Sequence, residues 1–393
     1  MPSFQEYNKV GQSIWSDFLS RSFIKSGELQ KLIDEGLRGV TANPTIFEKA
    51  IVGSVDYDDE LKRLASRGAS TRDLLESLML DDIAMAADLF RPVYDSLDGA
   101  DGFVSVEVNP EIADDSDAMT NEARRFFYRL NRPNVMIKIP ATRAGIPAIR
   151  RLIAEGINVN ITLLFSVSRY EQVVEAFLEG LEELATAEGG LEKVRNVSSV
   201  ASFFVSRVDT IVDEELERKD EEGAKELRGR IAIANAKMAY QKFNQAFKGP
   251  RWSRLRDLGA RIQRPLWAST STKNPSYPDT MYVDSLVGND TVNTMTPETI
   301  RAAMDHGRVR PDAVESGLDE AEAELKRLAA LGIDLEGGIS NRLEDEGIEK
   351  FSKSYETLLS SLERKKDRLT QSEPQGEPSP GKGVPAKNPR AIG

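Results

Sequence analysis

The chain has 393 residues, 40% of them hydrophobic, which suffices for one large α/β barrel or two domains of ordinary size. A formal net charge of -12 argues against binding to nucleic acid or anionic membranes, so any anionic ligand needs local basic residues. The absence of cysteine excludes disulfides and thiolate chemistry, and a single histidine, His306, argues against histidine-based catalysis and multi-histidine metal sites.

From Ser13 onward, short β-like runs alternate with longer helical segments, which is typical of βα units around a parallel sheet. The predicted strands are residues 13–17, 38–43, 102–109, 135–140, 156–164, 197–207, 265–269 and 281–284. Helical segments lie between them, including residues 23–35 and a long charged region, 209–247, expected to break near Gly223 or Gly229. Eight strands predict an α/β fold, a (β/α)8 TIM barrel.

Three polar amphipathic segments follow the last predicted strand, at residues 296–304, 319–331 and 341–362. We expect them to pack on the outside of the barrel, and the sequence assigns them no chemistry. A single domain over residues 1–365 would then include C-terminal helices from about residue 296. Residues 371–393 contain five prolines and almost no large apolar side chain, which predicts a disordered tail.

Most of the predicted strands have an apolar body and a polar residue at or near the C-terminal end. These polar residues are Asp17, Asn43, Glu107, Lys138, Asn160 with Thr162, Ser202 with Arg207, and Ser269. Active sites of (β/α)8 barrels gather at the C-terminal ends of the strands. The pattern therefore predicts that these side chains share one site.

Lys138 lies near the end of an apolar run that stops at Pro140. A buried lysine tends to lose its proton because desolvating an ammonium is unfavourable, and a neutral amine attacks carbonyl carbons to give a Schiff base. The alternative is a lysine that extends from the strand end into water. The strand pattern alone leaves both explanations open.

Other candidates also have simpler explanations. The acidic strand ends could be solvated carboxylates, and Asn43, which precedes a proline, suits a turn. Arg207 could form a salt bridge with Asp209 or Asp213 at a helix start. Acidic pairs elsewhere have no histidine beside them, so we expect no metal.

Seven segments, in this order, resemble those of the transaldolase family. They are residues 13–17 (SIWSD), 39–46 (GVTANPTI), 104–107 (VSVE), 136–142 (MIKIPAT), 156–165 (GINVNITLLF), 201–207 (ASFFVSR) and 267–273 (WASTSTK). The resemblance implies a (β/α)8 barrel enzyme that moves a dihydroxyacetone unit between sugar phosphates of the pentose phosphate pathway without a cofactor.

Carried over to this sequence, the resemblance also implies catalytic roles. Lys138 would form the Schiff base with the ketose C2 carbonyl, and Asp17 would take the proton from the C4 hydroxyl. Glu107 would act through a water positioned by Thr162 to form and dehydrate the carbinolamine.

The same resemblance implies a substrate-binding set. It comprises Asn43, Asn160 and Ser202 for sugar hydroxyls, and Arg207 and Ser269 for the terminal phosphate. Ser271 stands where the best-known branch of the family has an arginine, and Lys273 is the substitute cation that we expect.

Two alternatives remain: an aldolase on the same Schiff-base barrel that releases free dihydroxyacetone, and a non-catalytic barrel that serves as a scaffold. No apolar run approaches the roughly 20 residues of a transmembrane helix, and the first ten residues lack signal-peptide features. We therefore expect a cytoplasmic monomer or homodimer whose partners are sugar phosphates, neither nucleic acid nor membrane.

Overall fold

Eight short segments with mostly buried side chains form parallel strands, and each strand pairs with the next until β8 closes on β1. This computed structural model describes residues 2–371. The strands are β1 (Gln12–Ser16), β2 (Gly39–Thr41), β3 (Phe103–Glu107), β4 (Val135–Pro140), β5 (Val159–Leu164), β6 (Ser199–Phe204), β7 (Gln263–Ala268) and β8 (Thr291–Met295). The predicted (β/α)8 barrel with additional C-terminal helices is confirmed.

Helices surround the barrel and connect its strands. Those before β5 are α1 (Phe4–Lys9), α2 (Arg21–Lys25), α3 (Glu28–Glu35), α4 (Pro44–Val52), α5 (Asp58–Ala65), α6 (Thr71–Ser96), α7 (Ser116–Leu130) and α8 (Gly145–Ala154), with a 3-10 turn at Pro110–Ile112. Those up to β8 are α9 (Val167–Thr186), α10 (Gly190–Val194), α11 (Ser206–Glu217), α12 (Ile231–Ala246), α13 (Pro250–Asp257) and α14 (Met281–Ser285), with a 3-10 turn at Ala224–Leu227. After β8 come α15 (Pro297–His306), α16 (Leu318–Ala330), a π-helical turn at Leu335–Ile339 and α17 (Ser340–Gln371).

The strand register brings reactive residues side by side. Glu107 on β3 pairs with Lys138 on β4, and Lys138 pairs with Asn160 on β5. Because side chains alternate along a strand, Val106 and Ile137 lie on the opposite face, and both are fully buried. Apolar packing on one face of the strands thus fixes the positions of the polar residues on the opposite face.

The eighth strand is not where the sequence predicts it. Residues 281–284 lie in α14, and the strand is Thr291–Met295, ten residues later. A run of three apolar residues does not distinguish a strand from a helical turn, and the hydroxyl of Tyr282 donates to Asp209 at 2.9 Å. The true strand carries polar residues that are paired with other parts of the chain: Thr294, on the face towards the cavity, lies 2.7 Å from Thr41 on β2, and Asn293 accepts a 2.9 Å hydrogen bond from Thr270.

Several predicted segments have different boundaries. Residues 23–35 form α2 and α3 rather than one helix, because Gly27 adopts a left-handed φ of 83° between them. Strand β6 ends before Arg207, which lies in the first turn of α11. The region 209–247 is two helices, as predicted, and Gly223 and Gly229 both have positive φ within the break.

Helix α17 lies across the C-terminal end of the barrel. It packs on α4, α5, α6 and the Pro110–Ile112 turn, and also contacts β5 and α11. A Cβ at Gly347 would lie 2.8 Å from Cδ2 of Leu163, so a side chain there would push the helix away from β5. Helix α16 packs on α12 outside the barrel, as expected. Helix α17 packs on outer helices as well, but it also contacts β5, which the sequence did not predict.

Two further observations concern the ends and surfaces of the chain. No helix in the described part of the chain has both the length and the apolar character needed to cross a bilayer. The predicted tail, residues 371–393, lies outside the described residues apart from Gln371, the last residue of α17.

Candidate active site

A cavity of about 800 Å³ opens at the C-terminal end of the barrel. Eight of the ten predicted site residues line it: Asp17, Asn43, Lys138, Thr162, Ser202, Arg207, Ser269 and Lys273. Glu107 and Asn160 do not line it, but each lies within hydrogen-bond distance of a residue that does. The fold therefore brings together the residues that the strand-end pattern predicts.

The amine of Lys138 is buried at the centre of this site. Lys138 is 4% exposed, and its Nζ lies 3.2 Å from Oε2 of Glu107, which is 7% exposed. Burial raises the pKa of Glu107, the charge of Lys138 opposes that rise, and Asp17 adds to it. A lysine extending into water is excluded by this burial, and the carboxyl beside the amine can carry a proton above the usual pH range of a glutamate.

Asp17 is half-buried and held by a short hydroxyl chain. The hydroxyl of Thr41 donates to Oδ1 of Asp17 at 2.7 Å, and the hydroxyl of Thr294 lies 2.7 Å from that of Thr41. Because Thr41 gives its single proton to the carboxylate, Thr294 is the donor to Thr41. Both threonines line the cavity, so β2 and β8 together orient the carboxylate.

Asn43 also serves the local fold. Its Oδ1 accepts a 3.1 Å hydrogen bond from the N–H of Ile46 and caps α4. The simpler explanation, a local backbone role, is thus correct for the side-chain oxygen. Since the oxygen is used in the cap, the amide nitrogen is the atom left for a ligand in the cavity.

A buried polar row lies beside the lysine. The hydroxyl of Ser202 donates to Oδ1 of Asn160 at 2.7 Å, and Nδ2 of Asn160 donates to Oγ of Ser105 at 3.0 Å. The hydroxyl of Thr162 is buried and forms no hydrogen bond to residues 2–371. A buried polar atom without a protein partner is available to a substrate or a water.

Arg207 lies between two aromatic rings instead of in a salt bridge. Its guanidinium is 5.0 Å from the ring centre of Phe204 and 5.9 Å from that of Phe351 on α17. Asp209 and Asp213 bind backbone N–H groups and tyrosine hydroxyls instead. The proposed salt bridge of Arg207 at the helix start is therefore wrong, and its guanidinium faces the cavity without a carboxylate partner among residues 2–371.

The loop after β7 adds hydroxyls and a second cation. Ser269 adopts a left-handed φ of 56°, and its Oγ lies 3.0 Å from that of Ser206. The amine of Lys273 donates to Oγ of Ser271 at 2.7 Å. Burial lowers the pKa of Lys273, and the nearby charge of Arg207 lowers it further, so the two cations share one part of the cavity.

The family model described as Transaldolase/Fructose-6-phosphate aldolase matches residues 14–362. The chain belongs to the transaldolase/fructose-6-phosphate aldolase family. It is 48% identical over 364 residues to "Transaldolase" of Acidothermus cellulolyticus, covering 92% of this chain and 96% of that protein. It is 46% identical to "Transaldolase 2" of Nostoc sp. (92% and 96% covered) and 47% identical to "Transaldolase" of Thermobifida fusca (90% and 96%).

Membership of the transaldolase family confirms the resemblance found in the sequence motifs. It supports an enzyme that transfers aldehyde or ketone residues, acts on sugar phosphates and belongs to the pentose phosphate pathway. The match runs from β1 to residue 362 and so includes most of α17. The helix across the cavity is therefore part of the region shared with the transaldolase family.

Sequence reasoning missed several residues that line the cavity of this transaldolase-family barrel. They are Thr41, Lys49, Phe204, Thr294, Lys350 and Phe351. Thr41 stands two residues before Asn43 at a strand end, so the strand-end pattern could have identified it. Lys350 and Phe351 lie on a polar amphipathic helix, where no local pattern separates a cavity residue from a surface one. No group of three potential metal ligands occurs within residues 2–371.

Proposed function

We propose that this chain is a transaldolase that transfers dihydroxyacetone from a ketose phosphate to an aldose phosphate through a Schiff base on Lys138. Sedoheptulose 7-phosphate or fructose 6-phosphate would be the donor, and glyceraldehyde 3-phosphate or erythrose 4-phosphate the acceptor. The observation that carries this proposal is the buried pair of Lys138 and Glu107, 3.2 Å apart at the base of a cavity.

In the first step, the amine of Lys138 attacks C2 of the ketose and forms a carbinolamine. Loss of its hydroxyl as water requires a proton, and Glu107 is the adjacent acid because burial raises the pKa of its carboxyl. While the proton of the pair resides on Glu107, the amine is neutral and nucleophilic. The unpartnered hydroxyl of Thr162 is suited to hold the water that relays the proton.

In the second step, the bond between C3 and C4 breaks. Asp17, oriented by Thr41, takes the proton of the C4 hydroxyl, and the C4 oxygen forms the aldehyde of the departing aldose. The electron pair of the broken bond moves through C3 to the iminium nitrogen and leaves an enamine on Lys138. A base held in a fixed direction favours this step because proton transfer needs hydrogen-bond geometry.

In the third step, the enamine attacks the aldehyde carbon of the acceptor, and Asp17 returns the proton to the new hydroxyl. Water then hydrolyses the Schiff base and frees Lys138. Ser202 and Asn160 are suited to hold the three-carbon unit between the two half-reactions, together with the amide nitrogen of Asn43. Arg207, Ser269 and Lys273 would bind the phosphate.

The test separates transfer from cleavage. Purified protein is incubated with fructose 6-phosphate, with and without erythrose 4-phosphate, and products are resolved by mass spectrometry. We expect sedoheptulose 7-phosphate and glyceraldehyde 3-phosphate only when the acceptor is present, with little free dihydroxyacetone. Free dihydroxyacetone formed at equal rates in both incubations would instead identify an aldolase. The absence of any product in both incubations would favour the non-catalytic barrel.

Two further parts of the proposal concern the cell. We infer that the enzyme works in the cytoplasm, because that is where its sugar phosphate substrates are made and used. A monomer or a homodimer is expected, because all ten predicted site residues come together within one chain. Sedimentation of the purified protein distinguishes these two states.

A further inference from the structure

Positive charge in the cavity is only partly neutralised by the protein. Seven lining residues are lysine or arginine, and three of these, Lys31, Lys138 and Arg301, have a carboxylate within 4.0 Å. The remaining four, Lys49, Arg207, Lys273 and Lys350, form no ion pair with any residue from 2 to 371. In a chain with a net charge of -12, four unpaired cations around one cavity indicate an anionic ligand.

Lys350 comes from an element to which the sequence assigned no chemistry. It lies on α17 next to Phe351, whose ring is 4% exposed and 5.9 Å from the guanidinium of Arg207. The helix reaches this position because residue 347 is glycine: a Cβ there would lie 2.8 Å from Leu163 and 3.6 Å from Nη1 of Arg207. Helix α17 therefore contributes two residues to this part of the cavity: the aromatic ring of Phe351, which packs on Arg207, and the positive charge of Lys350.

The unpaired cations are close enough to affect one another. Burial lowers the pKa of Lys350, and the charges of Arg207 and Lys49 lower it further. The pKa of Lys273 is lowered first by burial and then by Arg207 and Lys350. Like charges held together in a partly desolvated place repel, and a bound dianion would remove that repulsion.

We propose that Lys350 is a phosphate-binding residue, which with Arg207 and Lys273 holds the phosphate dianion of the sugar substrate. This inference rests on the proposed function for its substrate class. Arg207, fixed between Phe204 and Phe351, supplies a planar fork to two phosphate oxygens, and the two lysines supply point charges. Helix α17 thus becomes one wall of the phosphate site and contributes to the preference for phosphorylated sugars.

The experiment replaces Lys350 with methionine and uses Lys353→Met as the matched control. Lys353 lies on the same helix and is exposed, as Lys350 is, but it does not line the cavity. Its replacement changes the net charge equally. Initial rates are measured with fructose 6-phosphate and with unphosphorylated fructose. Binding of inorganic phosphate is measured separately by titration calorimetry, which requires no turnover.

We expect Lys350→Met to raise KM for fructose 6-phosphate about tenfold, the effect of one charge-assisted hydrogen bond, with kcat nearly unchanged. Its kcat/KM for fructose should equal that of the wild type, and its affinity for inorganic phosphate should fall by a similar factor. Lys350→Arg, which keeps the charge, should restore most of both losses. Lys353→Met should behave as the wild type in every assay.

Equal KM values and equal phosphate affinities for Lys350→Met and Lys353→Met would overturn the inference. So would a loss with Lys350→Met that is as large for fructose as for fructose 6-phosphate, because it would show a structural effect unrelated to phosphate. If the wild type proves inactive as a transaldolase, the proposed function fails. The phosphate titration then still decides whether Lys350 binds the anion.

Discussion

The carboxyl of Glu107 and the amine of Lys138 lie 3.2 Å apart on neighbouring strands, and both are almost completely buried. The register of β3 and β4 places the two residues opposite each other, so their distance is set by backbone pairing rather than by flexible loops. A buried acid beside a buried amine allows one proton to move between them, which is the chemical requirement for forming and hydrolysing a Schiff base.

Replacing Glu107 with glutamine should lower kcat about 100- to 1,000-fold, because the amide keeps the shape but cannot exchange the proton. Since burial raises the pKa of Glu107, its acid form persists above the ordinary range, and the wild-type rate should fall as pH rises through that raised pKa. The glutamine variant should not show this fall in rate at high pH. Stopped-flow rates measured across pH test this prediction. The same fall in rate in the variant would show that another group titrates.

Replacing Thr41 with valine should slow cleavage of the C3–C4 bond without slowing Schiff-base formation, because Thr41 orients Asp17 and does not contact Lys138 through a hydrogen bond. We expect kcat about tenfold lower. Adducts trapped with borohydride should shift from the three-carbon towards the six-carbon species in the mass spectrum. Thr41→Ser keeps the hydroxyl and should restore the wild-type ratio; identical ratios in the valine variant would refute the role.

Asp209 should make stability depend on pH. Burial raises its pKa to about 7, although its carboxyl accepts hydrogen bonds from the N–H of Ala232 at 2.8 Å and from Tyr282 at 2.9 Å. The unfolded chain ionises this group near its ordinary pKa of 3.8, so its contribution to stability is complete below that pH and is lost as pH rises through about 7.

The matched comparison is Asp209→Asn, which cannot ionise. Its free energy of unfolding relative to the wild type should increase by on the order of 4 kcal/mol between about pH 4 and 8 and then level off. Urea unfolding at several pH values measures this difference. A difference that stays constant across that range would show that Asp209 is ionised in the folded protein.

Lys365 should anchor the C-terminal helix. Its amine donates to the carbonyls of Ile51 at 3.2 Å and Ser54, and lies 2.7 Å from Oδ1 of Asp58. Lys365→Met leaves these acceptors unpaired and should lower the free energy of unfolding by about 2 kcal/mol. Lys366→Met removes a neighbouring, more exposed amine and should change it by less than about 0.5 kcal/mol. Equal effects in urea unfolding would contradict the anchor.

The parts of the fold that the sequence predicts are those with an apolar strand body and a polar end. Lys138 illustrates this, since four apolar residues around it and a following proline place it at a strand end, and alternation places Glu107 on the same side as Ser105. The cavity then follows from topology, because parallel strands in a closed barrel bring their C-terminal ends together.

The parts that the sequence does not predict depend on contacts distant in the chain. Strand β8 differs from its predicted position because its polar side chains pair with distant parts of the chain, such as Thr294 with Thr41 on β2. The position of α17 over the end of the barrel depends on Gly347, which packs against Leu163, and on Lys365, which binds the α4–α5 segment. Neither contact has a signature in the local pattern of residues.

The most direct test of the central claim is reduction with borohydride in the presence of fructose 6-phosphate, followed by peptide mass mapping. We expect a three-carbon adduct on the peptide that contains Lys138, and no adduct in Lys138→Met. An intact, folded wild-type protein that forms no adduct, or one whose adduct maps to Lys273 or another lysine, would contradict the claim.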